Sequence, residues 1–201
     1  MKLYYAEGAC SLAPHIVLRE LGKKFDLVQV DLGAKTFQGG SDFKKINSKG
    51  YVPTLEIKKG EVLTEVTTIL QFLADKAKAT KLLPKAGTMN RYRAMEALNF
   101  VASELHKGMG ALFNKQMPAE GRKIIMDRLD VRLGWLDGVL GKNKFITGKS
   151  YSVADAYAFT ILNWGQWVGY DVKKHKNIAA YMERIAARPA VKAALKAENL
   201  A

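Results

Sequence analysis

The apolar pattern of this chain changes character once, near residue 80, and that change limits the folds open to it. Before it, strand and helix signals alternate; after it, every apolar repeat has helical spacing. The break runs Ala79-Thr80-Lys81-Leu82-Leu83-Pro84-Lys85-Ala86-Gly87-Thr88-Met89, where Pro84 and Gly87 interrupt both periods. The pattern predicts a first domain over residues 1–80, a linker over 81–89 and an all-helical domain over 90–201.

In the first part, Lys2–Tyr5 is short, aromatic and bounded by Glu7-Gly8, as a strand would be. Ser11 is placed to cap a helix that tolerates Pro14 in its first turn and ends at Gly22. Residues 25–32 read as a second strand. A polar loop from 33 to 50 follows, with a helical turn expected near 42–46. Residues 54–58 and 62–64 form a hairpin around Lys59-Gly60. Ile69, Leu70, Leu73 and Ala77 mark the inner face of a helix. The expected order is β-α-β-(α)-β-β-α. In the second part, helices are expected over 90–107, from Pro118 to about residue 140, and over 152–168, 178–187 and 189–197. Ser152 and Asp155 have capping-box spacing, with Asp155 in place of the usual Glu or Gln. A helix cap is a better reading of Asp155 than a catalytic acid.

Composition excludes several classes of function. No apolar run approaches the ~20 residues of a membrane span, and the first residues lack the apolar core of a secretory signal. A cytoplasmic protein without membrane insertion is expected. One cysteine rules out an intrachain disulfide and a multi-cysteine metal site, and His15, His106 and His175 have no short ligand spacing, so no metal is expected. The net charge is +13. Residues 1–80 carry 12 basic and 9 acidic side chains, residues 81–201 carry 20 and 10, and no basic run reaches five. Scattered in this way, the charge describes a solvated surface rather than a dedicated nucleic-acid site.

Cys10 follows a strand and precedes a helix, where free backbone N–H groups and the positive dipole end favour a thiolate. The neighbourhood reads Cys10-Ser11-Leu12-Ala13, so the second cysteine of a disulfide oxidoreductase is missing. A lone reactive thiol needs an external thiol partner, and in the cytosol glutathione is the obvious one. Tyr5 and Ser11 lie near the same strand end, and either could serve a bound thiol. Val52-Pro53 precedes a strand. A cis bond there would present the Val52 backbone to an extended peptide, while a trans proline at a strand start is the ordinary alternative. Glu65 stands where strand meets helix and fits either a ligand ammonium or a plain first-turn carboxylate. Lys35 lies in the polar loop. Asn99, Ser103 and His106 share one face of the long helix by their offsets, and His106 could donate to a thiolate or move a proton near neutral pH.

Together these stretches resemble the bacterial Beta-class glutathione transferases over essentially the full length. The matching segments are Met1-Lys2-Leu3-Tyr4-Tyr5 with Gly8-Ala9-Cys10-Ser11-Leu12, Asn47-Ser48-Lys49-Gly50-Tyr51-Val52-Pro53, Leu63-Thr64-Glu65, Glu104-Leu105-His106-Lys107 and Ser152-Val153-Ala154-Asp155-Ala156-Tyr157. The resemblance implies an α/β thioredoxin-like N-terminal domain, an all-α helical C-terminal domain and a homodimer. It implies a transferase conjugating glutathione, its co-substrate and not a bound cofactor, to small hydrophobic electrophiles in detoxification. Thiol–disulfide exchange or peroxide reduction through Cys10 is a second chemistry. A non-catalytic adaptor of the same fold, binding nucleic acid or protein, is the alternative class.

By the same resemblance Cys10 meets the glutathione sulfur and the Val52 backbone, before a cis Pro53, pairs with the cysteinyl unit. Glu65 and Val66 take the γ-glutamyl end, and Lys35 reaches a carboxylate. Asn99, Ser103, Glu104, Leu105 and His106 close the site, with Cys10 and His106 as the catalytic pair. Met109, Phe113 and Trp164 are expected to wall the acceptor pocket. Two positions depart from the family pattern. Val66 lacks the usual hydroxyl, and Tyr51 replaces a long polar side chain.

Overall fold

The computed structural model describes residues 1–200. They fall into two compact units: Met1–Ala79 together with the chain from Arg188 onward, and Thr80–Ala187.

The first unit is built on one sheet. Its strands are β1 (Lys2–Tyr5), β2 (Asp26–Asp31), β3 (Thr36–Phe37), β4 (Ser41–Asp42), β5 (Thr54–Lys58) and β6 (Glu61–Thr64), in the spatial order β4-β3-β2-β1-β5-β6. β1 pairs parallel with β2 and antiparallel with β5, and β5–β6 is a bulged hairpin. The parallel pair needs a crossover, and α1 (Leu12–Glu20) supplies it. The helix ends where expected, at Gly22, whose φ of +59° is the left-handed conformation that glycine adopts without penalty. Side chains alternate across β1. Tyr4 joins Val28, Val30, Phe43 and Val52 in one cluster, while Leu3, paired with Leu55, is buried on the other face. The expected helical turn in the polar loop is a 3₁₀ turn over Phe43–Lys45, and α2 (Val66–Lys76) follows β6.

The second unit is helical: α3 (Met89–Phe100), α4 (Lys107–Ala111), α5 (Ala119–Lys142), α6 (Val153–Leu162), α7 (Gly165–Val168) and α8 (Lys176–Ala186). All ten residues of α6 are buried, so it is the axis of this unit. Its capping box forms. The Asp155 carboxylate accepts from the Ser152 N–H at 2.8 Å, the Ser152 hydroxyl at 2.8 Å, the Ile146 N–H at 2.9 Å and the Tyr181 hydroxyl at 3.1 Å. Burial pushes this carboxyl up, against four donors that favour the anion.

Four details differ from the sequence expectation. Ser11 does not cap α1 with its side chain. Its hydroxyl donates to the Ala6 carbonyl and accepts from the Ala6 N–H, each at 3.2 Å, and so pins the β1–α1 loop. The long helix from residue 89 is interrupted by a π-helical turn over Val101–His106. Just beyond it, Gly108 lets α5 come close: a Cβ there would lie 2.7 Å from Leu129. Residues 152–168 break into α6 and α7 at Asn163, where the backbone tightens and a Cβ on Gly165 would meet the Tyr170 carbonyl at 2.6 Å. Finally α9 (Pro189–Ala197) belongs with the first unit, although its helical pattern groups it with the second. Arg188 pairs bidentately with Glu20 at the end of α1, at 2.6 and 3.0 Å.

Candidate active site

Cys10 sits in the loop between β1 and α1, and three elements fix its surroundings. The Ser11–Ala6 bonds hold the loop from within. The Gly8 N–H donates to Glu198 at 3.1 Å, which ties the loop to the end of α9. The Cys10 thiol donates to the Val52 carbonyl at 3.4 Å. Val52 precedes β5 outside its ladder, and the Val52–Pro53 peptide is cis. Asn47 shapes this turn: its buried amide donates to the Tyr51 carbonyl at 2.9 Å and to the Thr54 hydroxyl at 3.0 Å.

The expected thiolate is not what this environment favours. The backbone N–H groups of Cys10 and Ser11 do lower the thiol pKa, as a helix start should. Desolvation is larger and the Glu65 carboxylate adds to it, so the thiol is pushed up to about 12. The side chain as a whole is only half-buried, but its sulfur faces protein. In the free protein Cys10 is therefore a neutral thiol at neutral pH.

Glu65 stands at the start of α2 with φ +67°, so its carboxylate projects outward, more than half exposed. It is engaged. Lys49 Nζ lies 2.5 Å from Glu65 Oε1 and the Tyr51 hydroxyl donates to the same oxygen at 2.8 Å. Lys49 also donates to the Thr64 hydroxyl at 3.0 Å. Hydrogen bonding to Glu65 raises the pKa of both Lys49 and Tyr51. Val66 is buried. Lys35, at φ +58°, runs its stem beside Gly50. Cys10, Val52, Pro53, Glu65, Val66 and Lys35 thus all belong to the first unit, with Cys10, Val52 and Glu65 directly coupled.

The remaining predicted residues belong to the second unit. Asn99 and Ser103 are exposed, and the Ser103 hydroxyl donates to the Asn99 carbonyl at 2.9 Å. His106 does not continue their stripe. Its Nδ1 is 2.5 Å from the Tyr157 hydroxyl, and its ring meets Trp164 edge-on at 4.9 Å. The side chains of Glu104 and Leu105 have partners within the second unit. The Glu104 carboxylate is held by Arg132 at 2.6 Å and Arg128 at 3.0 Å, which keeps it below the usual carboxylate range. Leu105 is wholly buried core, and so is Met109, which the sequence placed in an acceptor wall. Phe113 is half-exposed and packs against Trp164 at 5.3 Å, so these two and His106 form one aromatic cluster.

Sequence reasoning did not single out Lys49, Tyr157, Arg128 or Arg132. Lys49 meets a carboxylate 16 residues on, and Tyr157 meets His106 across 51. No local period links such pairs.

A thioredoxin-like sheet with one thiol at its first strand–helix turn, a cis Val52–Pro53 peptide whose carbonyl accepts from that thiol and a helical second unit define a thiol-peptide-handling protein. Comparison with known proteins makes this specific. Residues 8–76 match the family model for the glutathione S-transferase N-terminal domain, and residues 100–189 match that for the C-terminal domain. The chain is 43% identical to glutathione S-transferase GstA of Escherichia coli O157:H7 over all of both chains. A bacterial beta class glutathione S-transferase from Sphingomonas chungbukensis superposes with a TM-score of 0.95 at 44% identity, covering 100% of each chain. A sphingomonad glutathione S-transferase complexed with glutathione gives 0.94 at 42%, again covering 100% of each. The chain belongs to the glutathione S-transferase family, and its relatives support an enzyme rather than a non-catalytic adaptor.

Proposed function

We infer that this transferase conjugates glutathione to small hydrophobic electrophiles, with Cys10 as a neutral hydrogen-bond donor to the glutathione sulfur rather than as the nucleophile. The observation that carries the reading is the S–H itself: burial pushes the thiol up, and its one proton, given to the Val52 carbonyl at 3.4 Å in the free protein, turns to the glutathione sulfur when that carbonyl pairs with the cysteinyl unit. A protonated thiol cannot attack, but it can stabilise a neighbouring thiolate as a donor. Glutathione then supplies the attacking sulfur. Burial holds the Cys10 thiol protonated, which makes disulfide exchange through it the minor chemistry.

The tripeptide has matching partners in the first unit. Glu65 suits its γ-glutamyl ammonium, the Val66 N–H and Lys35 its carboxylates, and the backbone of Val52 its cysteinyl unit. For Asn99, Ser103, Glu104, Leu105 and His106 of the second unit, a glutathione-binding role rests on the family resemblance alone; His106, held by Tyr157, is the group there suited to handle a proton. The cluster of His106, Phe113 and Trp164 favours an aromatic electrophile. The reaction runs on glutathione alone, without metal or bound cofactor.

A homodimer in the cytoplasm, serving detoxification, completes the reading. Val131 and Trp135 are exposed one turn apart on α5, with Trp135 against Phe100, and such a face suits a second copy. Light scattering on the eluting protein should give twice the chain mass.

The test of the catalytic reading is conjugation of glutathione to an aromatic electrophile by wild type and Cys10→Ala. Losing one neutral donor should slow turnover several-fold. Complete loss of conjugation with glutathione still bound, or an unchanged rate, would reject the role of a single neutral donor.

A further inference from the structure

Lys49 is a basic side chain close to where an anionic tripeptide should bind, and the simple expectation is that it helps. The geometry argues otherwise. Its ammonium, though solvent-accessible, is turned back onto the chain. It sits 2.5 Å from Glu65 Oε1 and 3.0 Å from the Thr64 hydroxyl, with the Tyr51 ring 5.5 Å below. Tyr51 braces the same carboxylate oxygen at 2.8 Å. An ammonium on a carboxylate, with a hydroxyl as second acceptor, is the chemistry that an α-ammonium would find there. The free protein already supplies that ammonium from its own chain.

We propose that Lys49 is a specificity-determining residue: its ammonium stands in for the α-ammonium of the γ-glutamyl group on Glu65 and must leave that carboxylate before glutathione can take it. The inference rests on the reading of Glu65 as the ammonium site. Two consequences follow. Glutathione pays the cost of displacing an existing ion pair, so its apparent affinity is reduced by the fraction of protein in which Glu65 is occupied. A peptide thiol without the α-ammonium pays nothing, because Lys49 stays and Glu65 is never stranded. Lys49 therefore narrows the preference for ammonium-bearing thiols. Both side chains are about half exposed, at 45% and 55%, so the pair is of surface strength and readily exchanged. Tyr51 holds the carboxylate in place during the exchange.

The two roles give opposite signs. If Lys49 only attracts an anion, removing it weakens glutathione. If it competes, removing it tightens glutathione and leaves the desamino analogue behind.

The experiment is calorimetric titration of wild type, Lys49→Met and Glu65→Gln. The probes are glutathione and desamino-glutathione, the same tripeptide with hydrogen in place of the γ-glutamyl ammonium. Lys49→Met should bind glutathione about two- to fivefold more tightly. It should not tighten the analogue, so the ratio of the two dissociation constants rises by at least that factor. Glu65→Gln should weaken glutathione strongly and largely erase the ratio. Unchanged or weaker glutathione binding in Lys49→Met, with Glu65→Gln still impaired, overturns the role of Lys49 alone. Wild-type affinity in Glu65→Gln instead removes Glu65 as the ammonium site, and the role of Lys49 with it. Equal tightening of both ligands by Lys49→Met also overturns the proposal, since the gain would then have nothing to do with the ammonium.

Discussion

Glu65 and Glu198 are two carboxylates of the same unit, each held by partners far away in sequence, and the contrast between them separates binding from architecture. Glu198 is fully buried. It accepts from His15 Nδ1 at 2.7 Å and from the Gly8 N–H at 3.1 Å. Arg19 Nε donates to His15 Nε2 at 2.8 Å, so Nδ1 is the ring nitrogen that donates to Glu198. Glu198 and His15 are both fully buried, so their bonds cannot be exchanged without leaving a buried polar group stranded. Glu65, by contrast, is held by Lys49 and Tyr51 at the surface. Its partners are exposed, so exchanging them strands no buried polar group. Burial makes a carboxylate structural, and exposure makes one available.

Removing Glu198 should give the largest loss of stability. Glu198→Ala removes the buried acceptor shared by the Gly8 N–H and the His15 Nδ1–H, at a cost of about 2–4 kcal/mol. For a chain of this length that lowers Tm by roughly 5–15 °C. It should also loosen the Cys10 loop, read as faster alkylation of Cys10. Glu65→Gln should invert the pattern. Stability should change by less than about 1 kcal/mol, while retention on immobilised glutathione is lost. If Glu198→Ala melted as wild type, or Glu65→Gln were the less stable variant, the division between the two would fail.

A third expectation uses pH. A thiol whose folded pKa is raised favours the protonated folded state. Its contribution is complete below the unfolded value of about 8.5 and disappears as pH rises through the folded value of about 12. Wild type should therefore lose more stability than Cys10→Ala between pH 9 and 11, where denaturant unfolding measures the difference. The smallest effect is at Glu104. Its pairs with Arg128 and Arg132 are partly exposed, so Arg132→Ala should cost under about 1 kcal/mol.

The architecture was legible because it rests on local signals. The Pro84/Gly87 break, the Gly22 stop, the β5–β6 hairpin and the Ser152–Asp155 cap each lie within a few residues. The assignment of α9 to the first unit was not legible, since it depends on contacts such as Arg188–Glu20, 168 residues apart. The π-helical turn was also invisible: its residues have ordinary helical spacing, and only the close approach of α5 at Gly108 marks the place. At the candidate site, the sequence named Cys10, Val52, Pro53 and Glu65 together, and the structure has all four in the first unit, with the Cys10 thiol on the Val52 carbonyl before a cis Pro53. The protonation state of Cys10 could not be named in advance. The strand–helix position correctly signals the N–H donors, but sequence carries no measure of the desolvation that outweighs them.

The central claim is that Cys10 is a neutral donor in the free enzyme. The chain has one cysteine, so iodoacetamide incorporation reports on it without ambiguity. The rate of alkylation should be followed from pH 6 to 11 on the native protein without glutathione, with modification located by peptide mapping. The account predicts slow reaction at neutral pH and a rate still rising at the top of the range, consistent with a thiol pKa of about 12. A plateau with a midpoint at or below the ~8.5 of an ordinary thiol would contradict it and return Cys10 to the role of nucleophile.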